Sequence, residues 1–144
     1  MHDCDDLARL LAAGGPFQDE RGGTILEGYL PGPDHQVSRF APIVSVESYG
    51  SGGELHHFAV SGRLPFAEPF RETGSVLPSD LPAELARTAE ATAAEAIAAL
   101  GATYGCFHTE MKFTPEGPRI IEAKREDRRG YPRNGGTPAG TSRS

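Results

Sequence analysis

Glu110 and Glu122 are the side chains in this sequence whose type and spacing point to chemistry. They lie in Tyr104-Gly-Cys-Phe-His-Thr-Glu-Met-Lys-Phe113, followed by Thr-Pro-Glu-Gly-Pro-Arg119 and Ile-Ile-Glu-Ala123. Pro115 pre-sets φ for a turn and Gly117 can take positive φ, so the spacing predicts a β-hairpin with a three-residue loop, Pro115 to Gly117. That register sets Glu110 opposite Glu122. With a period of two, one face carries Phe107, Met111, Phe113, Ile121 and Ala123, and the other carries Cys106, His108, Glu110, Lys112, Ile120 and Glu122. Two carboxylates facing each other across a hairpin, with Cβ atoms about 5 Å apart, repel unless a cation lies between them. A hard divalent ion is one such cation; Mg²⁺ takes oxygen ligands and is held by one or two carboxylates plus substrate phosphates. A solvated face on which Lys112 or Arg119 neutralises the acids is the other reading of the same residues.

The elements that must position this pair can be read along the chain. Residues 3–13 place Leu7, Leu10 and Leu11 at helical spacing, with Asp3 as N-cap and Gly14-Gly15 as stop. Residues 24–30 read as a strand ended by Pro31-Gly32-Pro33. Residues 43–49 and 54–61 are strand-like runs joined by the turn signal Gly50-Ser51-Gly52-Gly53. A proline-interrupted loop follows from Arg63 to Pro78. An alanine-rich helix is predicted from about Leu81 to Leu100, capped by Ser79 and stopped by Gly101, with Leu85, Thr88, Ala89, Thr92, Ala96 and Leu100 on its buried face. This helix is expected to pack on the odd-numbered face of the hairpin. His56 and His57 are adjacent strand residues and point to opposite faces, so at most one serves a site.

Composition bounds the function classes. The chain has 144 residues, 38% of them hydrophobic, and a net charge of -6, which argues against a nucleic-acid partner. Cys4 and Cys106 form no CxxC pair, and there is no signal peptide and no apolar run near membrane-spanning length, so a reduced, cytoplasmic protein without a membrane partner is expected. Residues 124–144 carry six Lys or Arg against two acids, whereas residues 1–123 carry eight against eighteen. Tyr131 and Ala139 are the only hydrophobics in that tail. A segment so poor in apolar side chains is expected to be a disordered basic tail.

Five stretches together resemble the C-terminal part of an ATP-grasp domain of the carboxylate-amine ligase and biotin carboxylase-like branch. They are Ile25-Leu-Glu-Gly-Tyr-Leu-Pro-Gly32, Val44-Ser-Val-Glu47, Phe70-Arg-Glu-Thr-Gly74, His108-Thr-Glu110 and Ile120-Ile-Glu122, and they occur in the family's order. The resemblance implies an α+β fold, an antiparallel sheet with a long covering helix, over residues 1–123. It implies that Glu27, Gly28, Tyr29 and Leu30 hold the adenine, that Glu110 and Glu122 bind Mg²⁺ or Mn²⁺, and that Arg71 acts catalytically by stabilising charge on phosphate or acyl-phosphate. A surface arginine paired with Glu68 or Glu72 is the other reading of Arg71. The implied parent reaction is ATP-dependent activation of a small-molecule carboxylate to an acyl-phosphate, which an amine or similar nucleophile then attacks. A non-catalytic module that binds a nucleotide or a partner chain is the alternative.

Two departures accompany the resemblance. The family's preceding domain and its lid lysines do not fit into the residues before Glu27, so a truncated domain is expected, inactive alone and prone to self-association through the surface left exposed. The family follows its second glutamate with Asn-x-Arg and glycines, whereas here Glu122-Ala123 leads into Lys124-Arg125-Glu126, and a charged lysine cannot ligate Mg²⁺. Deleting one nucleotide in the codon of Lys124 permits the reading Ala-Asn-Gly-Arg-Ile-Gly-Gly-Gly, which restores the pattern. Residues 124–144 are therefore read either as a frameshift product or as a genuine basic interaction tail.

Overall fold

Two residue periods, two and close to four, build the chain into a sheet and one helix. The computed structural model describes residues 27–68 and 71–126, together with positions 6, 8, 9 and 12. Strands β1 (Ile43–Ser51), β2 (Glu54–Arg63), β3 (Ser75–Val76), β4 (Gly105–Thr114) and β5 (Gly117–Glu126) form one antiparallel sheet in the order β3-β2-β1-β4-β5. Helix α1 (Ala83–Ala99) lies between β3 and β4 in the chain and packs on one face. The architecture is α+β, an antiparallel sheet with a long covering helix, as expected. The predicted helix over residues 3–13 lies largely outside the described residues, although positions 6, 8, 9 and 12 are helical.

The hairpin β1–β2 forms at its glycine signal, where Gly52 and Gly53 take φ of 61° and 86°, conformations that cost a residue with a Cβ. The helix-facing side of the sheet alternates as the sequence requires. Val44, Val46, Val60, Met111 and Phe113 are buried there against Ala89 and Ala93 of α1, with Val37 closing the cluster. Ala89, Ala93 and Ile97 are the buried residues of the helix, so the buried stripe is rotated from the predicted one. Alanine at two consecutive contacts lets the helix backbone approach the sheet, and Ile97 fills the space beyond. Leu100 lies past the last helical residue and is exposed. Thr88 and Thr92 return their hydroxyls to the carbonyls of Glu84 and Thr88 rather than to the core.

Ser79 does not cap the helix. Pro82 occupies the N-cap position, with no side-chain cap bond, and the Ser79 amide donates to the Val60 carbonyl at 2.7 Å. The neighbouring Asp80 ties the start of α1 to the segment before β1. It accepts from Ser38 Oγ at 2.7 Å, from the Arg39 amide at 2.7 Å and from Arg39 Nε at 3.3 Å. The Ser38 hydrogen bond, first among these, holds the Asp80 carboxyl below its ordinary range.

Three further expectations need correction. Residues 27–30 have no regular structure, so the predicted strand does not reach them; 24–26 lie outside the described residues. Two prolines close behind, at positions 31 and 33, limit pairing there. The loop after β2 contains a short return strand, β3, which pairs Gly62 with Val76 and Arg63 with Ser75. Finally, β5 runs through Glu126, pairing Lys124, Arg125 and Glu126 with His108, Phe107 and Cys106. Strand pairing there uses backbone groups and is indifferent to side-chain polarity, so the boundary at 123 falls inside a strand. Residues 127–144 lie outside the described residues.

Candidate functional site

The β4–β5 hairpin sets Glu110 opposite Glu122, by a route that differs from the predicted one. The turn is a two-residue loop, Pro115-Glu116, closed by the Thr114 and Gly117 pair, with Gly117 at φ 108°. Thr114 Oγ1 donates to the Gly117 carbonyl and accepts from the Glu116 amide. The extra residue predicted for the loop sits instead in the ladder. Met111 pairs with Ile120 and Glu110 with Glu122, leaving Ile121 as a β-bulge. The bulge transfers Ile120 to the Met111 side of the sheet, correcting the predicted face, and restores the alignment of Glu122 with Glu110.

Cross-strand pairing then assembles rows on the face without the helix. Ser61, Ser45, Glu110 and Glu122 form one row; Ala59, Glu47, His108 and Lys124 form the next. Glu47 Oε1 lies 2.8 Å from His108 Nδ1, and His108 Nε2 lies 3.9 Å from Glu110 Oε2. Donor atoms of His108, Glu110 and Glu122 all fall within 4.8 Å of one another. Glu110 and His108 are largely enclosed, with side chains 18% and 16% exposed, whereas Glu122 is 52% exposed.

Arg63 and Lys124 are the cations beside the two acids. Arg63 Nη2 is 3.7 Å from Glu110 Oε2, and Arg63 Nε is 2.8 Å from Glu72 Oε1. The Nε contact is an ion pair by distance, but its N–H makes no hydrogen bond. Lys124 Nζ bridges Glu122 and Glu126, 3.6 Å from each. Ser45 Oγ, buried in the Glu110 row, has no hydrogen-bond partner.

Of the residues singled out in the sequence, the structure brings together Glu110, Glu122 and, at the next row, part of the 27–30 segment. Lys112 Nζ donates to the Leu30 carbonyl at 2.6 Å and lies 5.2 Å from the centre of the Tyr29 ring. Glu27, Gly28 and Tyr29 are exposed. Arg71 is not at this cluster. It is exposed and its backbone pairs with Ala67 in both directions, closing the tip of the loop between β2 and β3. That loop instead delivers the adjacent Glu72 to Arg63. His56 and His57 do point to opposite faces. His56 stacks on Tyr49 with centroids 4.9 Å apart, and His57 Nδ1 lies 2.8 Å from Ser48 Oγ.

Sequence reasoning assigned no role to Glu47, Arg63 or Ser45. For Glu47 and Ser45 the alternation with Val44 and Val46 was a usable signal. Arg63 carries none, because beside the Leu64-Pro65 break it reads as loop rather than as the last position of β2.

No protein-family model matches the sequence. The chain is 35% identical over 99 residues to carnosine synthase 1 of Gallus gallus, a match that spans 68% of this chain and 10% of that protein. It is also similar to the crystal structure of L-amino acid ligase from Bacillus licheniformis, with a TM-score of 0.53 and 25% identity, covering 59% of this chain and 22% of that one. Among the described residues, no helix is long and apolar enough to cross a membrane.

Proposed function

Because the chain belongs to the ATP-grasp family, as part of an ATP-grasp domain of the ligase type, we propose that it binds Mg-ATP and belongs to a ligase that activates a carboxylate as an acyl-phosphate for attack by an amine. The observation that supports this most directly is the facing of Glu110 and Glu122 on the helix-free side of the sheet. The names of both relatives, a synthase and a ligase, accord with a bond-forming reaction. The chain spans about a tenth of the curated relative, so the acid, the amine and the whole reaction are assigned to the larger protein as part of this proposal.

The residues fit a hard divalent ion. Two carboxylates and a nearby imidazole lie within one small cluster, and the Lys124 that neighbours Glu122 is half exposed and free to swing away. Bound there, Mg²⁺ would neutralise phosphate charge and fix the geometry of transfer. Glu110, enclosed by Arg63 and His108, supplies the fixed side of the site, and Glu122 the adjustable side. Lys112 holds the Leu30 carbonyl and Tyr29 beside this cluster, which supports the reading of residues 27–30 as the site for the base of a nucleotide whose phosphates reach Glu110. Arg63 provides the buried positive charge on this face. In this reading Arg71, exposed in the neighbouring loop, stabilises charge on the phosphates.

Titration calorimetry of the full chain with ATP, with and without Mg²⁺, tests the reading. Mg-dependent binding that disappears in Glu110→Gln is expected. Nucleotide binding indifferent to both Mg²⁺ and Glu110→Gln would sink the metal pair and favour a non-catalytic nucleotide module.

A further inference from the structure

We propose that His108 is a third ligand, through Nε2, of the divalent ion at Glu110 and Glu122, and that it shifts the preference of the site from Mg²⁺ toward Mn²⁺. The inference rests on the reading of Glu110 and Glu122 as the metal pair.

The first argument is orientation. Glu47 Oε1 lies 2.8 Å from His108 Nδ1; with Nδ1–H donating to that carboxylate, the tautomer that binds a metal presents its Nε2 lone pair on the opposite side. A carboxylate behind the ring is how metal-binding histidines are fixed in tautomer and direction. The lone pair faces Glu110, with Nε2 3.9 Å from Oε2. Ligands on one ion at about 2.1 Å stand about 3.0 Å apart when adjacent and about 4.2 Å when opposite. The observed spread, within 4.8 Å, needs only a small inward rotation, and the half-exposed Glu122 can make it.

The second argument is charge. Arg63 is shared by Glu72 and Glu110, Lys124 is shared by Glu122 and Glu126, and Glu47 is partnered by His108. Carboxylates outnumber the fixed cations around the site, an excess of negative charge that favours a bound cation. Lys124 cannot donate a lone pair while charged, so the position two residues beyond Glu122 supplies no ligand, and among the described residues the imidazole of His108 joins the two carboxylates as a donor in reach. The third argument is the row itself. Ser45 Oγ is fully buried on the Glu110 row with no partner, a polar atom left for a ligand or an ion-bound water. An imidazole nitrogen adds little for Mg²⁺, which favours oxygen, and more for a first-row transition ion.

The test uses the full 144-residue chain and Mn²⁺ alone, without nucleotide. Free Mn²⁺ is followed by electron paramagnetic resonance, the bound ion by pulsed measurements of nitrogen coupling, and Mg²⁺ by displacement. The expected result is nitrogen coupling in the wild type that is absent from His108→Gln, with Mn²⁺ affinity reduced roughly 10- to 100-fold and Mg²⁺ affinity changed less than about 3-fold. His108→Asn serves in its place if His108→Gln does not fold. Mn²⁺ binding that is lost in Glu122→Gln but shows no nitrogen coupling would overturn the role of His108 and leave the carboxylate pair standing. Binding absent from the wild type, or unchanged in Glu122→Gln, would remove both.

Discussion

The two faces of the sheet are built by the same strands and ask opposite things of their side chains. Toward α1, Val44, Val46, Met111 and Phe113 are at most 2% exposed and pack in one apolar cluster with the alanines of the helix. Away from it, Glu47, His108, Glu110 and Arg63 hold each other through charge and a hydrogen bond, on register rows that also carry Ser45. One face is fixed by volume, which cannot be exchanged cheaply. The other is fixed by a network with several partners per group, so that single changes should alter binding more than stability.

Deleting volume on the helix side is the strongest test of this contrast. Met111 is fully buried between β1, β5 and the helix, and Met111→Ala should lower unfolding free energy by about 2–5 kcal/mol. Urea denaturation followed by circular dichroism measures it. A loss under about 1 kcal/mol would mean the face is loosely packed. Arg63→Met comes next, and it breaks the contrast on purpose. Arg63 is charged and on the helix-free face, yet only 8% exposed. Its removal leaves Glu110 and Glu72 without their shared cation, so a loss of about 1–3 kcal/mol is expected, diminished because Glu72 is itself 58% exposed. A neutral outcome would place Arg63 with the binding residues alone.

Much of this contrast was legible in the sequence, and its limits have physical causes. The facing of Glu110 and Glu122 follows from turn chemistry, yet the loop is one residue shorter than the turn signal predicts, and the ladder holds that residue as the bulge at Ile121. A bulge depends on how strands twist against neighbours, which no local residue pattern records. The helix was readable from its alanines and from Gly101, but its buried stripe was not. Where alanine occupies most positions, hydrophobicity hardly distinguishes one stripe from the next, and contact with the sheet chose Ala89, Ala93 and Ile97. The His108 contact with Glu47 joins residues 61 apart in sequence; only strand order brings them together.

A pH titration sharpens the comparison at the edge of the helix side. His57 points toward the helix face beside Ser48, and desolvation by burial lowers its pKa, partly offset by the Glu90 charge. The folded state therefore favours the neutral ring. The associated stability is present above the ordinary histidine value and is lost as pH falls from there through the lowered folded value. Thermal melts should show a decline in stability below about pH 6.5 that His57→Gln flattens. An identical slope in the variant would assign the decline to other groups.

The smallest stability effect is expected at Glu122, and its smallness is what the comparison predicts. Glu122 is half exposed and its one described ion pair, with Lys124 at 3.6 Å, is between exposed groups, so losing that pair costs little. Neutralising Glu122 also relieves repulsion from Glu110 directly across the ladder. Glu122→Gln should therefore change unfolding free energy by no more than about 0.5 kcal/mol, toward stabilisation, while removing Mg-dependent nucleotide binding. Parallel denaturation and calorimetry on one preparation separate the two effects. If Glu122→Gln unfolds the chain, the carboxylate supports the sheet rather than a ligand, and the division of labour between the two faces fails at the residue where it should be clearest.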